Sequence, residues 1–384
     1  MKLVWLVLLI ALLVSVVCLP IVYFYYETKS DKSNDDFFFG VSFGLNTTSE
    51  AKLLIDKVKG YTNLFVINSW EISINETALN EICEYAVNAK MHFIVFFDFI
   101  SHSAYSWHLT WLDTARERWG SNFLGVYLYE EPGGRQIDEG QWDRGEVVRK
   151  IFEGVSNYSD AANRFVMSIP SSRSMQDLKN RSVPVFTSDY ALYWFDYLAG
   201  YDAIFVEFGW NHSRIKHVAL GRGAANVQDK KWGAIITWTY ERSPYLENGT
   251  KMLQDMITAY QAGAQYIIVF NWPRINQYGI LEEEHFNAMK NFWNSIYSFP
   301  RNTFVKAEEK VAFVLPKDYG WGMRNLDDRI WGFWAPDDLA PRIWGNMNKL
   351  IEEYGLRLDI IYDDPRFCFE EKYSKIYFWN STIN

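Results

Sequence analysis

Short apolar runs recur along this chain, most of them followed by a longer stretch in which apolar residues return every three or four positions. The runs Phe38–Phe43, Leu64–Asn68, His92–Asp98, Leu124–Tyr129, Val185–Asp189, Ala203–Phe208, Gly233–Thr239 and Tyr266–Asn271 are rich in β-branched and aromatic residues. Their near-continuous apolarity predicts strands buried on both faces. The stretches Ser49–Lys59, Glu76–Ala89, Thr110–Trp119, Glu146–Asn157, Ser213–Val227 and Thr250–Gly263 predict amphipathic helices between them. Eight strand–helix units in about 265 residues predict an α/β fold, a (β/α)8 barrel over residues 37–300. Phe165–Ile169 also has strand composition, but it is read as part of the long excursion between the fourth and fifth strands. That reading sets the numbers of the later strands.

After Phe299 and Pro300 the alternation restarts. Val311–Leu315 and Leu358–Tyr362 predict strands, Leu339–Tyr354 a helix ending at Gly355, and Lys375–Trp379 a third strand, so residues 301–384 read as a small Rossmann-like α/β module. No G-x-G-x-x-G occurs in it, so nothing points to a nucleotide. The module is minimal, or the sequence is cut short.

The other end of the chain has a different pattern. Leu3 to Tyr26 carries no charge, and at about 1.5 Å per residue a helix of that length crosses a bilayer core of about 30 Å. The run is longer than a cleaved signal peptide requires and ends in Tyr23, Phe24, Tyr25 and Tyr26, an interfacial aromatic belt, so residues 1–26 are expected to be an uncleaved transmembrane signal anchor. Residues 27–36 read as a polar stalk. Lys2 before the helix and the acidic stretch after it predict the body on the extracellular side of the cell membrane. Sequons at Asn46, Asn75, Asn157, Asn180, Asn211, Asn248 and Asn380 agree with a glycoprotein facing outward.

Composition narrows the function classes. Of the 384 residues 49% are hydrophobic and 18% aromatic, which excludes a disordered chain. A net charge of −9, from 38 basic and 47 acidic residues, argues against nucleic acid as a partner. Three cysteines, Cys18, Cys83 and Cys368, are too few for a disulfide scaffold and lack zinc spacing; Cys83 and Cys368 are the pair that could join outside the cell. Asp98, His102 and His108 match no metal-ligand spacing, and no Gly-x-Ser-x-Gly elbow is present.

Barrels of this kind place their chemistry where strands end. Those ends carry Trp70, Asp98, Glu130, Glu131, Asp189, Glu207, Glu241 and Trp272, with no histidine among them. Carboxylates beside flat apolar rings suit sugar chemistry. Alternation along the fourth strand puts Gly125, Tyr127, Tyr129 and Glu131 on one face, and along the seventh Thr237, Thr239 and Glu241, so both glutamates are expected to look into the barrel mouth. Two facing carboxyls, one protonated and one ionised, are what glycosidic cleavage needs. Asp98 and Asp189 fit substrate contact or, alternatively, helix capping and loop hydrogen bonds, and Trp70 and Trp272 fit a sugar platform or rim packing.

Leu128, Tyr129, Glu130, Glu131 and Pro132 resemble the Asn-Glu-Pro signature of the clan of retaining (β/α)8-barrel glycoside hydrolases. The resemblance implies that Glu131 is the acid/base and that Glu241, in Thr237-Trp238-Thr239-Tyr240-Glu241, is the nucleophile, with Tyr240 beside the substrate. It also implies that Trp272, in Phe270-Asn271-Trp272-Pro273, floors the sugar site, and that no cofactor is required. The trailing Rossmann-like module is similar to that of some barrel β-galactosidases. The clan's asparagine is Glu130 here, which can still accept from a sugar hydroxyl but adds a charge beside Glu131. Glu207, in Val206-Glu207-Phe208-Gly209, is the rival nucleophile. The leading expectation is therefore a membrane-anchored extracellular retaining glycoside hydrolase with a carbohydrate substrate. The alternative is a silent barrel that binds glycans or builds a cell coat.

Overall fold

The computed structural model describes residues 37–98, 107–139, 152–298 and 309–383. The expected signal anchor, the stalk and most of the helix expected over residues 146–157 lie outside these. Among the described residues no helix is long and apolar enough to cross a membrane.

Eight parallel strands close into a barrel in sequence order: β1 (Phe38–Phe43), β2 (Leu64–Ile67), β3 (His92–Phe96), β4 (Phe123–Tyr127), β5 (Val185–Asp189), β6 (Ala203–Phe208), β7 (Lys231–Ile236) and β8 (Tyr266–Val269). The ring is shut by β1 pairing with β8, Phe38 opposite Tyr266. Helices cover the outside. Those flanking the site are α1 (Thr48–Val58), α2 (Trp70–Ser73), α3 (Glu76–Asn88), α4 (Trp107–Trp119), α5 (Pro132–Glu139), α6 (Tyr158–Ser168), α7 (Arg173–Asn180), α8 (Tyr193–Leu198) and α9 (Arg214–Val227). Phe165 lies in α6, a helix rather than a strand, so the expected strand numbering stands.

Side chains, not solvent, fill the lower lumen. Leu64, Val66, Ile94, Tyr127, Phe186, Phe205, Ile235 and Ile268 pack into one cluster with Phe38 and Tyr266, whose rings stack at 5.1 Å. This is the layered interior that inward alternation on every strand produces. Several helices start on side-chain caps. Asn75 accepts from Ala78 N at 3.1 Å and Asn248 from Lys251 N at 3.0 Å, each such cap stabilising its helix by about 1 kcal/mol.

One boundary differs from expectation in a way that matters. β7 ends at Ile236 rather than Thr239. Beyond it Thr239 N and Tyr240 N both donate to Tyr245 O, at 2.7 and 3.0 Å. The chain here bonds to its own loop instead of to a neighbouring strand, so the two-residue alternation stops before Glu241 is reached.

Three further parallel strands, β9 (Val311–Leu315), β10 (Leu358–Tyr362) and β11 (Lys375–Phe378), form a sheet in the order β10-β9-β11, with α10 (Ala340–Tyr354) between β9 and β10. This sheet is bound tightly to the barrel through α9. Arg222 pairs with Asp359 at 2.7 Å, both buried, and Asn226 and Tyr373 complete the Asp359 carboxylate at 2.8 and 3.0 Å. A Cβ on Gly223 would lie 2.6 Å from Ile360 O, so only glycine lets helix and strand approach this closely. The loop after β9 then reaches back to α5. Gln136 Nε2 donates to Trp331 O at 2.9 Å and Arg324 pairs with Asp138 at 2.6 Å.

Candidate active site

The site is built from the exits of β4, β5 and β6. Ala203, Phe205 and Glu207 share the inward face of β6, so Glu207 ends a column of lumen side chains and is only 4% exposed. On β5 the inward residues are Phe186 and Ser188. Tyr127 OH donates to Ser188 Oγ at 2.7 Å, and Ser188 Oγ donates to Glu207 Oε1 at 2.7 Å. This chain fixes one carboxyl oxygen of Glu207.

The other side of Glu207 meets Glu131, with which it shares a hydrogen bond. Past the end of β4, Tyr129 and Glu131 take left-handed backbones, φ 59° and 53°, a conformation that costs a non-glycine residue about 1 kcal/mol or more and gathers at functional sites. Glu131 N donates to Ser188 O at 3.0 Å, holding the half-buried carboxyl over the lumen.

Burial dominates the electrostatics. It pushes Glu131 up to about 7, with the charge of Asp189 adding to the effect and the hydrogen bond from Glu207 opposing it. Burial raises Glu207 further, well above the usual carboxylate range, and the neighbouring Glu131 charge adds to it. The pair therefore holds one proton in common around neutrality, and it resides on the deeper member, Glu207. Burial and the surrounding carboxylates also hold Tyr127 well above its ordinary value.

Asp189, read from sequence as a substrate contact, points the other way. It is fully buried, and its oxygens accept from Gly133 N at 2.5 Å, Gly134 N at 2.8 Å, Tyr190 N at 2.7 Å and Ala191 N at 3.0 Å. Burial raises it to about 6 in spite of these donors, and the equally buried Asp196 shares a hydrogen bond with it, kept neutral by burial. Asp189 thus grips the first turn of α5 directly after Glu131, the loop hydrogen bonding that the sequence offered beside substrate contact. Gly134 leaves room for the Tyr190 ring, which a Cβ would meet at 2.1 Å, and Tyr190 OH donates to Asp138 Oδ2 at 2.6 Å.

Glu241, read as the nucleophile, sits exposed on the loop after β7; the glutamate brought to Glu131 is Glu207. Glu130 is exposed beside the pair and Asp98 half-buried at the exit of β3. Trp70, Tyr240 and Trp272 all lie on the rim, 47%, 45% and 46% exposed. Trp272 stacks on Trp238 at 5.3 Å with the rings 12° apart, making a flat double-ring surface. Tyr127, Ser188 and Trp238 were not singled out from sequence, although alternation on β5 marks Ser188 as inward and Asp189 as outward. Cys83 and Cys368 are both free, one buried and one exposed. Among the described residues no three of His, Cys, Asp and Glu converge to hold a metal.

No protein-family model matches the sequence, and no curated protein matches it. Among solved structures the chain is similar to an endo-β-1,4-mannanase from Thermotoga petrophila, at 8% identity and TM-score 0.46, over 73% of this chain and 82% of that one. It is similar to α-L-fucosidase isoenzyme 2 from Paenibacillus thiaminolyticus, at 11% identity and TM-score 0.48, over 88% and 59%. A 3-hexulose-6-phosphate synthase is also similar, at 12% identity and TM-score 0.35, over 67% and 99%. Two of these are glycoside hydrolases and the third a synthase. Likeness at this level leaves the reaction to be argued from the site.

Proposed function

We propose that the protein is a retaining glycoside hydrolase that cleaves an O-glycosidic bond of an oligo- or polysaccharide with Glu131 and Glu207. The observation that carries this reading is the pair of adjoining carboxyls in the barrel mouth, Glu207 buried and fixed by Ser188 and Glu131 held above it, with burial raising both. The pair stands on the same rim as the stacked Trp238 and Trp272, whose faces suit the C–H surface of a sugar ring.

In this mechanism the glycosidic oxygen takes the place of the hydrogen bond between the two carboxyls. Glu207 gives its proton to that oxygen as the bond to the anomeric carbon breaks, and the Glu131 carboxylate attacks the same carbon to form a glycosyl ester. Water then gives a proton to the Glu207 carboxylate and adds to the anomeric carbon, releasing Glu131. A retaining pair stands about 5–5.5 Å apart and an inverting pair about 6.5–9.5 Å, so the two carboxyls must part as the substrate enters, and the shorter retaining separation is the nearer to their contact. The roles implied by the resemblance are exchanged, since the deeper glutamate keeps the shared proton, and Glu207 replaces Glu241. The surrounding hydroxyls of Tyr127 and Ser188 orient Glu207 throughout.

The body is placed outside the cell, anchored by the uncharged segment from Leu3 to Tyr26. In support, all seven sequon asparagines are exposed in the described structure, where a glycan can be carried without disturbing the core.

The test is azide rescue on a panel of aryl glycosides. Glu131→Ala with azide is expected to release a glycosyl azide of inverted anomeric configuration, and Glu207→Ala with azide one of retained configuration. Failure of the wild type to hydrolyse any aryl glycoside or polysaccharide offered would contradict the reading. Rescue of Glu241→Ala in place of Glu131→Ala would contradict the assignment.

A further inference from the structure

Two histidines follow the exit of β6, and the proposed reaction uses neither. His217, in the first turn of α9, is buried and His212 half-buried. Their rings stack at 5.1 Å, 18° from parallel. Tyr193 OH on α8 and His217 Nδ1 bond at 2.8 Å, whereas His212 Nδ1 is buried with no hydrogen-bond partner among the described residues. Charged and titratable groups reach the pair from every side. Arg214 and Lys216 flank it on α9, Arg324 and Asp328 come from the loop after β9, and Asp138 from α5. Tyr190, from the exit of β5, has its ring 6.2 Å from that of His212. The acids are already engaged, Asp138 and Asp328 by Arg324 at 2.6 and 2.7 Å and Asp255 by Arg214 at 3.0 Å. A proton on His212 Nδ1 would therefore have nothing to bond, beside a like ring and three cations. Burial, aided by Arg324, Arg214 and Lys216 and opposed by Asp328, holds His212 down at about 4. Burial, then His212 and the same cations, hold His217 well below its ordinary value.

The tip of the loop after β9 is seated beside this pair. Residues 322–329 form a small hairpin, shut at its base by Gly322 N donating to Arg329 O at 3.1 Å and by the pairing of Trp321 with Ile330. Within it Asp328 accepts from Arg324 N at 3.0 Å and from Arg324 Nε at 2.9 Å, so the tip holds together as a unit. It meets the barrel at three points. Arg324 pairs with Asp138 on α5, and its guanidinium lies 5.4 Å from the centre of the Tyr190 ring that also neighbours His212. Met323 O accepts from Lys216 Nζ at 3.1 Å, and Lys216 directly precedes His217. Behind the base Trp321, Ile330 and Trp331 are buried, while Asn325, Leu326 and Asp327 at the end of the tip are exposed. The tip is thus anchored at its base and held at its end by polar contacts.

We propose that this tip is an acid-released latch, seated on α5 and α9 while His212 and His217 are neutral and lifted when they take up protons. Lifting lets water reach the histidines, which regain the ordinary value of 6.5. The lifted form therefore binds more protons between 6.5 and about 4. The hold of the latch is complete above about pH 6.5 and weakens as pH falls, by up to about tenfold per unit through His212 alone. His217 adds in the same direction. Lifting also frees Asp138 and the Tyr190 ring that packs on Gly134, so the start of α5 beyond Glu131 loses its brace. The fold as a whole responds in the opposite sense between pH 7 and pH 5, because burial keeps protons on Glu131 and Glu207. A local loosening in acid, inside a barrel that acid strengthens, is the signature. The latch goes beyond the proposed reaction and does not depend on it.

The test is amide hydrogen exchange of the full chain in detergent at pH 7 and pH 5, read by mass spectrometry and corrected for intrinsic exchange rates. Peptides covering residues 322–329 and 132–139 are expected to lose protection about tenfold or more at pH 5, while those from β1, β2 and β3 keep or gain it. His212→Gln, neutral at both pH values, should cut the loss about threefold or more. Adding His217→Gln should abolish it. Arg324→Gln leaves the histidines untouched and keeps the test independent of whether that double variant folds. It should unseat the tip at pH 7, so that residues 132–139 lose protection there and His212, followed by its ring proton resonance, titrates nearer 6.5. The proposal is overturned if the tip is equally protected at both pH values, or if protection falls alike across the barrel. It is equally overturned if the loss survives both histidine substitutions, if His212 of the wild type titrates at 6.5 or above, or if Arg324→Gln leaves His212 where it was. None of these readouts needs a substrate, so the latch and the carboxyl pair stand or fall separately.

Discussion

Glu207 and Glu241 follow neighbouring strands of one barrel, each beside aromatic residues, and they end in opposite environments. Glu207 lies within β6, where the hydrogen-bonded ladder runs on through Phe208 opposite Ile236, so alternation carries its side chain into the lumen against Glu131. Glu241 comes five residues after β7 has ended, on a loop bonded to itself, and its side chain is exposed. The difference teaches that facing is inherited along a strand only as far as the ladder lasts. Past that point the loop's own hydrogen bonds decide where a carboxyl goes. Burial then decides its chemistry, because the desolvated Glu207 keeps a proton that an exposed glutamate would lose.

The sharpest way to break this contrast is to neutralise each glutamate in turn. Glu207→Gln should lower hydrolysis by about 10²–10⁴-fold, the usual worth of a positioned general acid, without lowering the thermal midpoint. Glutamine copies the neutral acid, accepting from Ser188 and donating to Glu131. A fall in stability with activity intact would reverse the reading. Next in size is Asp189→Asn, which sets an amide nitrogen against at least one of the backbone N–H donors that the carboxylate now accepts from. It should cost about 2–4 kcal/mol in urea unfolding, whereas a solvent-facing ligand residue would cost almost nothing.

The pair should also show in the pH dependence of stability. Glu131 titrates near 7 in the folded chain against an ordinary value of 4.5, so the folded state binds more protons between those values. That contribution is complete below about pH 4.5 and is lost as pH rises through about 7, at up to about 1.4 kcal/mol per unit. Urea midpoints should fall from pH 5 to pH 7, and Glu131→Gln should flatten the slope. A wild-type midpoint that rises over this window would remove the case for a shared proton. The smallest effect is expected from Glu241→Gln, a loss of about tenfold or less in kcat/KM on a hexasaccharide, since it trims one rim contact and leaves the reacting groups in place.

Much of this was legible in the residues. The strands β1, β5 and β6 begin and end where their apolar runs do, because runs buried on both faces carry a strong signal. β7 was overextended, since Thr237 and Trp238 still bond across to Phe208 and Trp210 but Thr239, with the same strand composition, spends its N–H in a loop. Alternation pointed to Glu131, although β4 ends at Tyr127 and a left-handed turn carries Glu131 beyond it; the same rule applied to Ala203, Phe205 and Glu207 points to Glu207, whereas the resemblance at strand seven pointed to Glu241. Parity on β5 likewise separates Ser188 from Asp189. The left-handed turn at Tyr129 and Glu131 left no mark in the sequence, as neither is glycine or asparagine and the conformation is imposed by Ser188, Asp189 and the packing around Gly134. Nor could local pattern show that the loop after β9 returns to brace α5 through Arg324 and Asp138, a contact between residues 186 positions apart.

The central claim is tested most directly by carbon-detected titration of the glutamate side-chain carboxyls in labelled protein. One resonance, lost in Glu131→Gln, is expected to titrate near 7, to move further up in Glu207→Leu, which removes the hydrogen bond that opposes the rise while keeping the site filled, and to stay where it is in Glu241→Gln. If every glutamate titrates in the ordinary range, or the raised one answers to Glu241 and ignores Glu207, the two carboxyls do not share a proton and the account is contradicted.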